Sequence, residues 1–221
     1  MNLPARHDRQ VGVASIAVDA TTVEETRRAL HAVGEQVLAR PQYRTSGTIR
    51  LQVSPGGFST VADPRLRVDG VELVSGDQRL AISGTTTEAL GQAVGVTAGV
   101  PEGLYHDHSD VRTDKVLTAD PAAAWIAGCF ATGEQAMRRL APDQQPVLWP
   151  EHFDLAITAD GVGYGVSPGD SYHAEPYAYV SPATPRSDDF WTAPFGALRP
   201  MRDLPDPETL LTFFAEARDR T

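Results

Sequence analysis

Alternating apolar residues come in groups along this chain, and helical stretches separate the groups. Between the first two helices, Ile49, Leu51 and Val53 point one way before Ser-Pro-Gly-Gly turns the chain. "RLRVDGVELV" reads as a hairpin across Asp69-Gly70, and "RLAI" continues the meander. After the third helix, "HFDLAI", a turn at "TADG" and "VGYGV" form a second hairpin, and "YAYV" adds a strand. Strands that follow one another directly pair antiparallel, whereas parallel neighbours need a crossover between them. The expected fold is α+β, with mostly antiparallel sheet packed by about four helices, and not a doubly wound α/β sheet.

The helices carry their own punctuation. Thr22 and Glu25 have capping-box spacing, and Val23, Leu30, Val33 and Val37 share a face before Pro41, which is expected to stop the first helix. A short second helix starts at Thr85. The third follows Asp120-Pro121, with Trp125, Ile126, Cys129, Phe130, Gly133, Met137 and Leu140 at helical spacing. The fourth repeats the Asp-Pro start at Asp206-Pro207. The stretch from Val100 to Lys115 reads as a loop. "TIRLQVSPGG" and "GVGYGVSPGD" align without gaps, which raises two pseudo-repeated lobes, 1–117 and 118–221, within one domain of 1–221.

Composition narrows the function. The net charge is −10 with no basic cluster, so the surface repels phosphate backbones and anionic lipid. Nucleic acid and membrane are therefore not expected partners, and no apolar run approaches the roughly 18 residues of a membrane span. "VGVASIAVDA" is short, lacks leucine and ends on Asp19, so no signal peptide is expected. The one cysteine, Cys129, has apolar neighbours and allows no intrachain disulfide or multi-cysteine zinc site, which suits a reducing cytoplasm. Lys115 is the only lysine beside eighteen arginines, a mark of a GC-rich genome more than of function.

"LWPEHFDLAI", "YGVSPGD", "HAEPYAYV" and "FWTAPFGALRP" resemble a family of actinobacterial proteins with no established activity. The resemblance covers Leu148 to Pro200 most clearly. It implies that these segments belong together and transfers no catalytic residue.

Candidate chemistry concentrates in the same region. From Trp149 to Phe195 lie nine of the sixteen aromatics and six of the seventeen prolines, a combination that suits a preformed pocket or an equally rigid core. "GVSPG" at Gly165 to Gly169 matches the serine-hydrolase elbow in letters only. The residue after Ser167 is Pro168, which has no N–H for an oxyanion hole, and no helix follows. Gly161, Gly163 and Gly165 are two apart and strip one side of a strand bare, to admit a helix, an aromatic side chain or a flat ligand; close helix packing is the expectation. If "HFDLAI" is a strand, His152 and Asp154 face away from Phe153 and Leu155. His173 and Glu175 are again two apart. With Tyr164, Tyr177 and Trp191 as walls, these four groups make acid/base equipment if they converge, with His152 as acid/base group and Asp154 as its orienting partner. Left apart, they are a solvated sheet face and a turn cap. His31 reads as a half-buried structural residue.

Three functional expectations follow. The first is a small-molecule-binding protein or small enzyme whose pocket is built by residues 149–195, with no cofactor. The second is a non-catalytic interaction module, a homodimer burying Tyr177 and Trp191. The third is a metal site at His106 and His108, whose spacing of two suits chelation from a strand.

Overall fold

A computed structural model describes residues 19–105 and 108–221. Helix α1 (Ala20–Val33), a π-helical stretch (Gly34–Ala39) and α2 (Arg40–Ser46) form one continuous rod. A meander follows: β1 (Leu51–Ser54), β2 (Gly57–Thr60), β3 (Arg67–Asp69), β4 (Glu72–Ser75) and β5 (Gln78–Ala81), then α3 (Thr87–Ala93). The second half repeats this order with α4 (Ala122–Leu140), β6 (Val147–Trp149), β7 (Asp154–Ala159), β8 (Val162–Ser167), β9 (Tyr177–Pro182), β10 (Ala197–Pro200) and α5 (Pro207–Asp219). All ten strands join one antiparallel sheet in the order β10-β9-β8-β7-β6-β1-β2-β3-β4-β5. With α1, the π turn and α2 taken as one rod, four helices accompany it, an α+β fold as expected.

The two Ser-Pro-Gly turns do not occupy equivalent places. The first follows β1, the opening strand of its half, and the second follows β8, the third strand of its half. The strand that corresponds to β1 in order is β6, and its sequence is different.

Helix starts follow their caps, with two shifts. Asp19, not Thr22, caps α1, accepting from the N–H groups of Thr21 and Thr22, and Thr86, not Thr85, caps α3. Asp120 accepts from Ala122 N at the start of α4, and Asp206 accepts from Glu208 N and Thr209 N at α5.

Pro41 does not stop the first helix; the rod runs on to Ser46. In an α-helix its ring would press on the carbonyl four residues back. The π-helical turn before it relieves that clash by widening the ring of hydrogen bonds, as in Arg40 N–H to Glu35 O. The same pattern would ask Pro41 to donate to Gln36 O, and Pro41 has no N–H. Gly99 N takes that carbonyl instead, at 3.1 Å. The 94–111 segment is thereby stitched to the rod, with Gln36 Nε2 donating to Val111 O at 2.7 Å and Arg40 to Thr97 O at 2.9 Å.

The helices lie on one face of the sheet. Leu51, Phe58, Val68, Leu73, Leu148, Leu155, Tyr164, Val166 and Val180 point into the core there, in a cluster that draws on both halves. Fully burying one such side chain is worth about 1.5–3 kcal/mol. Gly133 lets α4 settle close, since a Cβ at that position would come within 2.7 Å of Val166. Strand β6, central in the sheet, and β10, at one edge, are each short and ended by proline, and carry no alternation long enough to be read from sequence.

Candidate functional site

The corner before β7 decides where the candidate groups point. Phe153 has φ 54, the left-handed region that a non-glycine residue adopts only under constraint. Its ring is held in the core, 5.3 Å from Phe58 and 5.6 Å from Phe130, and lies flat against His31 of α1 at 5.3 Å and 6°. His31 also donates from Nε2 to Pro150 O at 2.8 Å. The strand therefore begins at Asp154 and not at His152. His152 sits in the turn, exposed, while Asp154 is 9 % exposed. Burial lowers the His31 pKa to about 4, so its imidazole is neutral near pH 7.

Strand register puts Asp154 directly opposite Trp149, on the sheet face away from the helices. Its one side-chain hydrogen bond comes from the Tyr179 hydroxyl, and no cation forms a salt bridge with it among the described residues. Burial pushes the Asp154 carboxyl up from the ordinary range, with the Tyr179 hydrogen bond pulling the other way, and burial raises Tyr179 strongly. The phenol reaches Asp154 because Gly165 is bare. A Cβ there would lie 2.1 Å from the Tyr179 ring. The glycine strip thus admits an aromatic side chain and not a helix, since the helices occupy the opposite face.

The other expected residues separate. Tyr177 is buried and donates to Asp170. His173 donates from Nδ1 to Glu175 O at 2.9 Å and stacks edge-on against Tyr177 at 5.5 Å. The Glu175 carboxylate pairs with Arg202. No hydrogen bond or ring contact joins His152 to His173. Tyr164, expected as a pocket wall, is core: its side chain is on the helix-facing side, edge-on to Phe214 at 5.5 Å. Trp191, likewise expected as a wall, packs against Phe190 in the same core. Ser167 ends β8 and leads into an irregular loop, with no helix behind it.

The sequence reading passed over a polar row on the first rod. Arg27, His31 and Glu35 are four apart, so they lie on one helix face. Arg27 donates to Gly169 O, and its Nε is buried without a partner. Glu35 is 0 % exposed and accepts from His108 Nδ1 and Ser109 N, each at 3.0 Å. Burial raises its pKa, and the hydrogen bonds oppose the shift. The Glu151 Oε2 and the Tyr105 hydroxyl are buried nearby without hydrogen bonds, and burial followed by the Glu35 charge pushes Tyr105 up. His106 lies outside the described residues, so the expected His106/His108 pair is not seen together. Among the described residues no group of three or more His, Cys, Asp or Glu side chains could hold a metal ion.

Among the described residues, two clefts are large enough for a small ligand. One of about 420 Å³ lies beside α1 between Arg28 and Lys115, and one of about 480 Å³ opens on the outer sheet face beside Trp149 and Ala156. No helix of the described residues is long and apolar enough to cross a membrane. No protein-family model, curated protein or solved structure matches the chain.

Proposed function

We propose that the protein binds a small molecule on the outer sheet face of its second half and that Asp154, with Tyr179, is the acid/base couple of that site. Asp154 carries the reading. Its carboxyl is buried, accepts from one phenol and has no counter-ion among the described residues. A buried charge kept for stability alone is normally paired with a cation or met by several N–H groups. A carboxyl left short of partners is poised instead to take or give a proton. His152, exposed at the rim, shuttles that proton to solvent or ligand, and Trp149, facing Asp154 across the ladder, forms a wall. His173 and Glu175 shape the neighbouring loop through Tyr177 and Arg202. A reducing cytoplasm suits the one thiol, Cys129, which is buried and pushed up to about 12.

The homodimer reading has less to stand on. Tyr177 and Trp191, the side chains it would cover, are already buried within the chain.

A thermal-shift screen against metabolites tests the proposal. A ligand that raises the melting temperature of the wild type is expected to lose its effect in Asp154→Asn and in His152→Ala, with both variants still folded. A ligand shift that survives in both variants would place binding elsewhere.

A further inference from the structure

The two halves of the sheet are joined at one point. β1 and β6 pair only through Leu51↔Leu148, whereas β1·β2 has four pairs and β6·β7 three. Strands tied once diverge on either side, and the cleft of about 480 Å³ opens at this seam. That volume falls within the roughly 300–1,000 Å³ of small-molecule sites. Val147 and Ala156 make its apolar floor. Thr48, Gln144, Gln145 and Thr158 supply amides and hydroxyls around it.

Its charge sets it apart. The chain has 29 acidic residues against 19 basic ones, yet no carboxylate of the described residues lines this cleft. Among the described residues Arg50 is its only charged side chain. Among the described residues the Arg50 guanidinium makes no salt bridge and no side-chain hydrogen bond, and it lies 5.8 Å from the centre of the Trp149 ring. The cleft beside α1 differs: there Arg28 is met by Asp110 at 2.7 Å and Arg112 by Asp114 at 2.8 Å.

We propose that the seam cleft binds a small, flat organic anion, of which an aromatic carboxylate is the simplest case. The guanidinium fork matches a carboxylate with two parallel hydrogen bonds. The guanidinium lies over the indole face, so the ligand ring packs against the indole edge, and the Gln144 and Gln145 amides read polar substituents. The proposal names a ligand class for the outer face and rests on the ligand-binding reading only in taking that face as the ligand side; Asp154 is no part of the recognition.

The probe is 2-naphthoate, with neutral 2-naphthamide as its control, followed by tryptophan fluorescence and ligand-observed NMR. The naphthoate is expected to bind with a millimolar or lower dissociation constant, as its size allows. Arg50→Gln and the change to naphthamide are each expected to weaken binding roughly tenfold or more, the worth of a charge-assisted pair. Trp149→Phe is expected to abolish the fluorescence change, and Arg79→Ala, whose charge is met by Asp69 and Glu72 away from the cleft, to leave the affinity within about twofold. No naphthoate binding up to about 10 mM, equal affinity for the amide, or full binding by Arg50→Gln would overturn the proposal. Binding lost in Asp154→Asn but kept in Arg50→Gln would also overturn it, while leaving the Asp154 site standing.

Discussion

On the outer face of β3, β4 and β5 in the first half, the charges answer one another. Arg67 meets Asp69 at 3.0 Å, and Arg79 meets Asp69 at 2.9 Å and Glu72 at 2.6 Å. On the same face of the second half, Asp154 has only the Tyr179 phenol among the described residues, and the Tyr177, Tyr179 and Phe195 rings pack against one another. The backbone plan is shared: a long helix, a five-strand meander and a shorter helix. The inner faces share it in chemistry too, since both bury aliphatic and aromatic side chains against the helices. The ion ladder is a surface solved by water and pairing, and such pairs contribute little to stability. The second half keeps a carboxyl out of water at a cost to folding. That asymmetry, not the fold, is what points to function.

Substitutions on the two faces should therefore behave differently. The largest effect is expected from Gly165→Ala. The new methyl would occupy the space of the Tyr179 ring and eject the phenol from Asp154. A loss of about 2–4 kcal/mol is expected, read as a fall in melting temperature, because the ring has packed neighbours on its far side. A loss below about 0.5 kcal/mol would mean that the Tyr179–Asp154 pair is loosely held and the contrast between the faces is shallow.

The next effect concerns how the first half supports the second. His31 reaches from α1 to the Phe153 corner, and burial lowers its pKa from 6.5 to about 4. On acidification the unfolded chain takes the proton first. Stability is thus fully present above pH 6.5 and falls as the pH drops toward 4, by about 3 kcal/mol over the window. Asp154 and Glu35, both raised by burial, act in the opposite sense. His31→Phe keeps a ring on Phe153 and removes the titration. Denaturant unfolding at several pH values is expected to show the acid-side decline in the wild type and its absence in the variant. Parallel curves would remove His31 from the corner's energetics.

The smallest effect belongs to the ladder. Arg79→Ala is expected to cost no more than about 1 kcal/mol, falling with added salt, with no change in ligand binding. A loss of binding in this variant would extend the functional surface to the first half.

Much of this was legible in the sequence. The Asp-Pro helix starts, the hairpins at Asp69-Gly70 and Asp160-Gly161 and the strand "YAYV" follow from local chemistry that tertiary structure does not override. The bare stripe at Gly163 and Gly165 was legible as a vacancy, but spacing cannot name its occupant; Tyr179 lies in another strand. Asp154 was visible as a candidate, yet its partner was not His152, because the left-handed turn at Phe153 takes that imidazole off the strand. This turn is imposed by packing against Phe58, Phe130 and His31, contacts far away in sequence. The continuation of the rod past Pro41 was hidden for a similar reason: the carbonyl it frees finds Gly99, some sixty residues on. The four-residue spacing of Arg27, His31 and Glu35 could have shown a polar face, had the apolar stripe beside it not taken precedence.

The contrast between the faces rests on Asp154 being a costly carboxyl. Its most direct test is the melting temperature of Asp154→Asn against the wild type at pH 5 and pH 8. Asparagine mimics the protonated acid and carries no charge to bury. The variant is expected to melt higher at pH 8, by the few degrees that about 1 kcal/mol gives a chain of this size, with the gain shrinking at pH 5 where the wild type is closer to neutral. A variant that melts several degrees lower at pH 8 would make Asp154 a structural anchor and remove the reason to seek function on this face.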